Sequence, residues 1–272
     1  MSQDFILETR SLVKAFKGFT AVDDVNLKIE RGAIHALIGP NGAGKTTVFN
    51  LLTKYLTPTS GTLLYNGRDI TAMKPAAIAR AGIVRSFQIS AVFPHLSVLE
   101  NVRVALQRRE SNSFHFWKPV KVLDSLNDRA MELLADVGLT DFARSRTVDL
   151  PYGRKRALEI ATTLALEPEL MLLDEPTQGM GHEDVEVVAD LIKRVSAGRT
   201  ILMVEHNLHV VAKLADRISV LQRGAILTEG DYRTVSADPR VREAYLGVAA
   251  DEPPVPASAP AGITNIAAGA SA

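Results

Sequence analysis

The feature that most constrains the fold is a glycine-rich loop at residues 39–46, with the sequence GPNGAGKT. A short apolar segment at 33–38 precedes the loop and predicts a buried strand, and the apolar segment at 47–52 predicts a helix. Strand, glycine loop and helix, in this order, are the context that a phosphate-binding loop requires. The loop and the residue after it are Gly39, Pro40, Asn41, Gly42, Ala43, Gly44, Lys45, Thr46 and Thr47.

The fixed positions of this loop each have a role in holding a triphosphate. Glycines let the backbone come close to the phosphates, so that successive N–H groups point into one anion-binding hollow. Lys45 can reach the β- and γ-phosphates, and the Thr46 hydroxyl can bind Mg²⁺. A helix that starts near Lys45 adds the positive end of its dipole. The loop therefore predicts a site for a nucleoside triphosphate with Mg²⁺.

Composition argues against several classes of function. The chain of 272 residues has 31 Lys and Arg and 31 Asp and Glu, whereas a nucleic-acid-binding protein should carry a basic excess. It contains no cysteine, which excludes disulfides, thiol catalysis and cysteine metal sites. The first residues lack the pattern of a secretory signal, and no apolar run approaches the length of a membrane-spanning helix. We therefore expect a cytoplasmic protein that does not bind nucleic acid.

Apolar spacing divides the chain into three parts and a tail. The first third has short strand-like segments, with Asn66 and Gly67 predicting a hairpin turn. The middle has helical spacing, and Ser97 and Glu100 predict a capping box at a helix start. The last third alternates strands and helices, which predicts a parallel sheet. Residues 249–272 are dominated by Ala, Pro and Ser, so we expect a disordered tail.

Further candidate site residues follow predicted strands. Asp174 and Glu175 come directly after the apolar segment 170–173. A carboxylate at the end of a buried strand, beside a phosphate loop, can hold Mg²⁺, and its neighbour can polarise the attacking water. Gln88 offers an amide that can bind both Mg²⁺ and water, and His206 offers an imidazole that can contact the γ-phosphate.

A second glycine stands at a predicted helix start, in the segment 150–156 with the sequence LPYGRKR. Gly153, preceded by Tyr152, offers N–H groups to an anion there. Because the chain already has a phosphate loop, we expect this segment to serve the nucleotide of another subunit. Two basic runs predict solvated surface: Arg103, Arg108 and Arg109, and Arg154, Lys155 and Arg156.

Taken together, these segments resemble the ATP-binding cassette (ABC) family over residues 5–247. The correspondence covers Walker A at 39–46, Walker B at 170–175 with the catalytic Glu175, the Q-loop at Gln88, the signature motif at 150–154, the switch histidine at His206, and an adenine-stacking aromatic at Phe16. The resemblance implies an α/β fold: a P-loop NTPase core with an N-terminal antiparallel β subdomain and an inserted α-helical subdomain at about 90–158. This nucleotide-binding domain would span residues 1–248.

The resemblance also implies roles for the site residues. ATP would be held by Phe16, the loop 39–47 and, from a second subunit, Tyr152 and Gly153. The residues expected to place Mg²⁺ are Thr46, Gln88 and Asp174, and those expected to act in hydrolysis are Lys45, Gln88, Glu175 and His206. Two ATPase subunits, a homodimer or a pair of siblings, would close head to tail around two ATP molecules.

Within the family, the chain is similar to the ATPase of branched-chain amino-acid importers. The similarity lies in the segments RSFQ at 85–88, LPYG at 150–153, LEIA at 158–161 and VREAYLG at 241–247. It implies a partnership with integral-membrane permeases and, indirectly, a solute-binding protein, on the cytoplasmic face of the inner membrane. We expect the permease to contact residues 87–96, which include Phe93 and Pro94.

The chain departs from the family pattern in two places, and several alternative functions stay open. Pro151 and Tyr152 replace Ser and Gly of the usual LSGGQ signature, and Gly181 stands where an acidic residue is common after Walker B. The alternatives are an importer ATPase for urea or amides, a lipid exporter ATPase, a non-transport ABC ATPase acting on nucleic acid or ribosomes, and an interaction module without hydrolysis. Intact Lys45, Asp174 and Glu175 argue against the last.

Overall fold

The computed structural model describes residues 4–86, 92–109 and 120–246. The strands are β1 (Phe5–Phe16), β2 (Phe19–Val25), β3 (Lys28–Glu30), β4 (Ile34–Ile38), β5 (Ser60–Tyr65), β6 (Arg68–Asp69), β7 (Ile83–Ser86), β8 (Leu170–Asp174), β9 (Thr200–Val204), β10 (Arg217–Gln222) and β11 (Ala225–Gly230). The α-helices are α1 (Lys45–Leu52), α2 (Pro75–Arg80), α3 (Val98–Leu106), α4 (Asn127–Asp136), α5 (Tyr152–Leu164), α6 (His182–Val195), α7 (Leu208–Leu214), α8 (Tyr232–Ala237) and α9 (Pro239–Leu246). Short 3₁₀ helices cover Gln107–Arg109, Val120–Leu126, Thr140–Phe142 and Thr147–Asp149.

The larger sheet has six strands in the order β11-β10-β4-β9-β8-β7. Strands β10, β4, β9, β8 and β7 are parallel, and β11 joins the edge in antiparallel orientation. This confirms the parallel sheet that the alternating strands and helices predict. In a parallel sheet the carboxyl ends of the strands meet at one edge. That edge collects the phosphate loop after β4, Asp174 at the end of β8 and the residues after β9.

The smaller sheet is antiparallel, in the order β2-β1-β5-β6 with β3 also paired to β1. Asn66 and Gly67 form the predicted hairpin turn between β5 and β6, with φ of 49° and 70°. Apolar alternation at residues 25–29 predicts one continuous strand there; this prediction is wrong in part, because β2 ends at Val25 and β3 begins only at Lys28. The cause is a side-chain hydrogen bond: the Ser11 N–H donates to Asn26 Oδ1 at 2.8 Å.

Helices occupy much of the middle of the chain, as predicted. The capping box at the start of α3 is confirmed, since Ser97 Oγ accepts from the Glu100 N–H and the Ser97 N–H donates to the Glu100 carboxylate. Helical spacing of apolar residues at 123–137 predicts a helix there, but the α-helix begins only at Asn127, after a 3₁₀ helix. The architecture confirms the predicted fold class. The helical limits of about 90–158 and the domain limit at 248 stay predictions, and the tail 249–272 lies outside the described residues.

Two apolar clusters form the core, one on each face of the parallel sheet. One packs β4, β8 and β9 against α3 to α7, and the other lies between the two sheets around α1, where Phe49 is fully buried. The prediction that both basic runs are solvated surface is wrong for Arg103 and Arg156, which are 8% and 2% exposed. No helix in the described ranges is long and apolar enough to cross a membrane.

Candidate nucleotide site

The phosphate loop between β4 and α1 has a backbone that two of its glycines make possible. Gly39 and Gly44 have φ of 151° and 104°, in the region that favours glycine. A Cβ at Gly39 would lie 2.1 Å from the carbonyl oxygen of Leu221, and one at Gly44 would lie 2.5 Å from that of Ala21. Neither position can therefore hold a side chain in this structure.

Neighbouring elements hold the loop in this shape. The Gly224 N–H, in the turn between β10 and β11, donates to the Ala43 carbonyl at 2.9 Å. The carbonyl of Gly224 in turn accepts from the Asp23 N–H of β2 at 2.8 Å. Within the loop, the Ala43 N–H donates to the Pro40 carbonyl at 3.1 Å. Both sheets thus contribute to the shape of the loop.

Lys45 is the first residue of α1, and it is buried beneath the loop. Its ammonium donates to the carbonyls of Gly39 at 2.6 Å and Pro40 at 3.0 Å. Burial lowers the pKa of Lys45, and the nearby charges of Glu175 and Asp174 oppose that shift. The structure thus brings the lysine and both carboxylates of the predicted site into one electrostatic neighbourhood.

Two of the predicted Mg²⁺ ligands, Thr46 and Asp174, are placed where they can bind the cation, but Arg85 already binds Asp174. Thr46 is exposed in the first turn of α1, and Asp174 ends β8 at the same sheet edge. Mg²⁺ at a nucleotide site takes only one or two protein ligands and completes its shell with phosphate oxygens and water. Asp174 Oδ2 accepts from Arg85, whose other amino group donates to Asn50 Oδ1 at 2.7 Å. Arg85 therefore competes with the cation for one oxygen of Asp174.

Glu175, the predicted base, has a backbone conformation unusual for a residue with a side chain. Its φ is 46°, in the left-handed region. Its N–H donates to the Val204 carbonyl at 2.9 Å, which ties the residue after β8 to the last residue of β9. Strain of this kind clusters at functional sites. It supports the role that the sequence predicts for Glu175.

His206, the predicted switch histidine, is exposed directly after β9 and is held by its neighbour Glu205. Glu205 is fully buried, and its Oε2 accepts the N–H groups of His206 at 3.0 Å and Asn207 at 3.1 Å. Its Oε1 accepts from the Thr177 N–H at 3.1 Å and the Thr177 hydroxyl at 2.5 Å. The sequence prediction missed Glu205, although an acidic residue at the end of an apolar strand was a signal for it.

The structure places three of the remaining predicted residues, Phe16, Tyr152 and Gly153, on elements away from the phosphate loop in sequence. Phe16 ends β1 with 45% of its surface exposed, and the Lys14 ammonium lies 5.2 Å from its ring centre. Tyr152 begins α5 and its hydroxyl donates to the Gln178 carbonyl at 3.1 Å. A Cβ at Gly153 would lie 2.9 Å from Asp184 Oδ1. Gln88 lies outside the described residues.

Comparison with known proteins identifies the family. The model of the ABC transporter family matches residues 22–178, more than half of the chain. A second model, described as the branched-chain amino acid ATP-binding cassette transporter, matches residues 225–251. The chain belongs to the ABC transporter family. It is the ATP-binding subunit of such a transporter and is an ATPase.

Individual relatives agree with this assignment. The high-affinity branched-chain amino acid transport ATP-binding protein BraF of Pseudomonas aeruginosa is 37% identical over 251 residues, which cover 90% of this chain and 98% of BraF. The crystal structure of the ADP conformation of MJ1267, an ATP-binding cassette of an ABC transporter, is 29% identical and superposes with a TM-score of 0.79, covering 89% of this chain and 99% of MJ1267. The dimeric post-hydrolysis structure of the cassette MJ0796 with ADP and Pi is 25% identical, with a TM-score of 0.70 and coverage of 84% and 99%.

Proposed function

We propose that this chain is the ATP-hydrolysing subunit of an ABC importer for branched-chain or other amino acids. The observation that carries the solute class is the match of residues 225–251 to the branched-chain family model, together with the relation to BraF. The strained Glu175, the buried Lys45 and the phosphate loop at one sheet edge support hydrolysis as the chemistry. On this proposal the chain works at the cytoplasmic face of the membrane.

The chemistry follows from charge and position, because phosphoryl transfer needs mainly alignment and charge stabilisation. Lys45 exchanges its two loop carbonyls for phosphate oxygens and offsets their negative charge. Glu175 orients and deprotonates the attacking water, and His206 donates toward the γ-phosphate. Thr46, Asp174 and Gln88 would hold Mg²⁺, which supplies further charge neutralisation when bound. Phe16 stacks on the adenine.

We further propose that two ATPase subunits pair with each phosphate loop facing the other subunit's Tyr152 and Gly153. MJ0796, a relative of similar fold, is dimeric. Light scattering of purified Glu175→Gln with and without MgATP tests this pairing. An ATP-dependent doubling of mass supports a homodimer and the role of Glu175, whereas a monomer that binds ATP contradicts self-pairing and points to a sibling subunit.

A cleft of about 400 Å³ between α2, β7, α3 and α5 supports the predicted permease contact. Its lining includes Val84, Val104 and Phe93, and Phe93 is 52% exposed. Phe93 and Val104, which is also exposed, give this cleft more than one apolar side chain for a partner to cover. Of the predicted segment 87–96, residues 87–91 lie outside the described ranges.

Co-purification with the permease tests the cleft directly. We expect Phe93→Asp to abolish permease binding while the ATPase remains folded. Val187→Asp is the matched control, because Val187 is 67% exposed on α6, outside the cleft. Retention of the permease by Phe93→Asp would refute this docking surface.

Uptake of labelled leucine tests the solute. Disruption of the gene in its own cell should reduce leucine uptake, and wild-type protein but not Lys45→Ala should restore it. Lys193→Ala, at an exposed position in the last turn of α6, should restore uptake as wild type does. Unchanged leucine uptake together with reduced uptake of urea, another amino acid or a lipid would overturn the branched-chain assignment.

A further inference from the structure

The signature helix α5 carries a buried arginine that reaches the catalytic loop of the same subunit. Arg156 is 2% exposed, and its Nε donates to the Pro176 carbonyl at 3.0 Å. One amino group, Nη2, donates to the Glu175 carbonyl at 3.1 Å, and the other, Nη1, donates to Glu159 Oε2 at 2.6 Å. A single planar guanidinium therefore binds two successive carbonyls of the catalytic loop and is held in turn by a carboxylate one helical turn away.

These contacts fall where the backbone is under strain. A left-handed conformation at a non-glycine residue costs about 1–3 kcal/mol and persists only when the surroundings impose it. At Glu175 the surroundings are the Val204 carbonyl, which accepts the N–H, and two donors to the carbonyl: Arg156 and the Gln178 N–H at 3.1 Å. Of these partners, Arg156 is the one that acts through a side chain.

The ion pair that holds Arg156 is itself buried. The side chains of Arg156 and Glu159 are 3% and 1% exposed. Glu159 Oε1 has no hydrogen-bond partner among the described residues, so this carboxylate depends on Arg156 for its charge compensation. Replacing one member of such a pair with an apolar residue destabilises a fold because it leaves a buried charge unpaired. A test of Arg156 must therefore keep a charge there or remove both.

We propose that Arg156 is a positioning residue for ATP hydrolysis: it fixes the backbone of Glu175, and so the direction of the catalytic carboxylate, from the helix that carries the signature segment. The inference rests on the proposed role of Glu175 as base. Arg156 would also link the two sites of a dimer. The N-terminus of α5 would meet the second subunit's nucleotide, and a displacement of α5 there would reach Glu175 through the side chain of Arg156.

Arg156→Lys is the informative substitution, since lysine keeps the positive charge beside Glu159 but cannot bind both carbonyls and the carboxylate in one plane. We expect kcat to fall about 100-fold, the loss that a misplacement of about 1 Å produces. The affinity for a fluorescent ATP analogue should change by less than about 2-fold, because the interaction removed acts on the reacting carboxylate and not on nucleotide binding. Arg129→Lys is the matched control, because Arg129 on α4 also pairs with a glutamate three residues later, at 2.7 Å from Glu132, but on an exposed surface; it should retain wild-type kcat.

A double-substitution cycle separates positioning from a merely structural role. In the Glu175→Gln background, Arg156→Lys should cause no further loss of single-turnover rate, since both changes act on one carboxylate. Additive losses, or a parallel fall in kcat and ATP affinity, would overturn the proposal. If Arg156→Lys unfolds, the paired variant Arg156→Met with Glu159→Leu keeps the core neutral and should show the same loss of kcat.

The same series distinguishes this inference from the proposed function. Substantial turnover by Glu175→Gln alone would refute the role of Glu175 and with it the basis of the inference. Loss of turnover in Glu175→Gln with wild-type kcat in a folded Arg156→Lys would refute the positioning role of Arg156 alone.

Discussion

Acid should destabilise this protein through one buried histidine in the parallel sheet. His35 is the second residue of β4 and is 1% exposed, and its Nε2 is 2.7 Å from the Ser219 hydroxyl. That hydroxyl donates to Glu229 Oε2 at 2.7 Å, so the histidine must supply the hydrogen of the Nε2 contact. Burial lowers the pKa of His35 to about 4, Glu229 opposes this shift and Arg217 adds to it. The neutral imidazole is thus the form that the fold accommodates.

The sign of the pH dependence follows from proton uptake. In the unfolded chain the histidine titrates near its ordinary pKa of 6.5, and in the folded chain near 4. Between these values the unfolded state binds more protons, so the free energy of unfolding decreases as the pH falls. At about 1.4 kcal/mol for each pKa unit, the full loss is about 3 kcal/mol, of which about 2 kcal/mol appears between pH 7 and pH 5.

Urea unfolding of the full chain at pH 7 and pH 5 measures this loss. His35→Gln keeps a donor for Ser219 but cannot be protonated. From pH 7 to pH 5 the free energy of unfolding should therefore fall by about 2 kcal/mol less in His35→Gln than in wild type. His95→Gln, which removes an exposed histidine, should follow wild type. Parallel pH profiles of wild type and His35→Gln would refute the reasoning.

Three further substitutions test other parts of the structure. Gly39→Ala should abolish the binding of a fluorescent ATP analogue, because the added Cβ would overlap the Leu221 carbonyl. Normal binding would contradict the loop geometry. Glu205→Ala should lower the free energy of unfolding by about 3 kcal/mol or more, because it leaves buried donors such as those of Thr177 unpaired. A change below about 0.5 kcal/mol, which is typical of surface sites, would contradict the structural role of Glu205. Ser97→Ala should cost about 1 kcal/mol in urea unfolding by removing the α3 cap, and an unchanged midpoint would show that the cap is dispensable.

Local features of the site were predictable because their causes are local. The glycine pattern requires a backbone that only glycine adopts easily, and the structure has that backbone at Gly39 and Gly44. The capping box at Ser97 and the turn at Asn66 likewise depend on residues within a few positions of each other. The parallel sheet followed from alternating strand and helix patterns. From that sheet, the approach of Asp174 to the phosphate loop followed as well.

Contacts between distant segments were not predictable from one sequence. From the sequence, Arg156 belongs to a basic run that predicts solvated surface, because the two carbonyls that it binds lie 19 and 20 positions further along the chain. The pairing of Arg85 with Asp174 joins residues 89 positions apart. The break between β2 and β3 arises from an Asn26 contact across strands. Each depends on which surfaces the tertiary fold brings together.

The bonds that tie the phosphate loop to both sheets have a consequence for how tightly nucleotide binds. The loop receives its shape from Gly224 and from the crowding of Leu221 and Ala21, all of which are intrachain contacts made on folding. Nucleotide binding therefore does not have to order the loop, and preorganised sites lose less conformational entropy on association. In the proposed dimer, we therefore expect the backbone of the loop to keep its shape while helix α5 and the second subunit move.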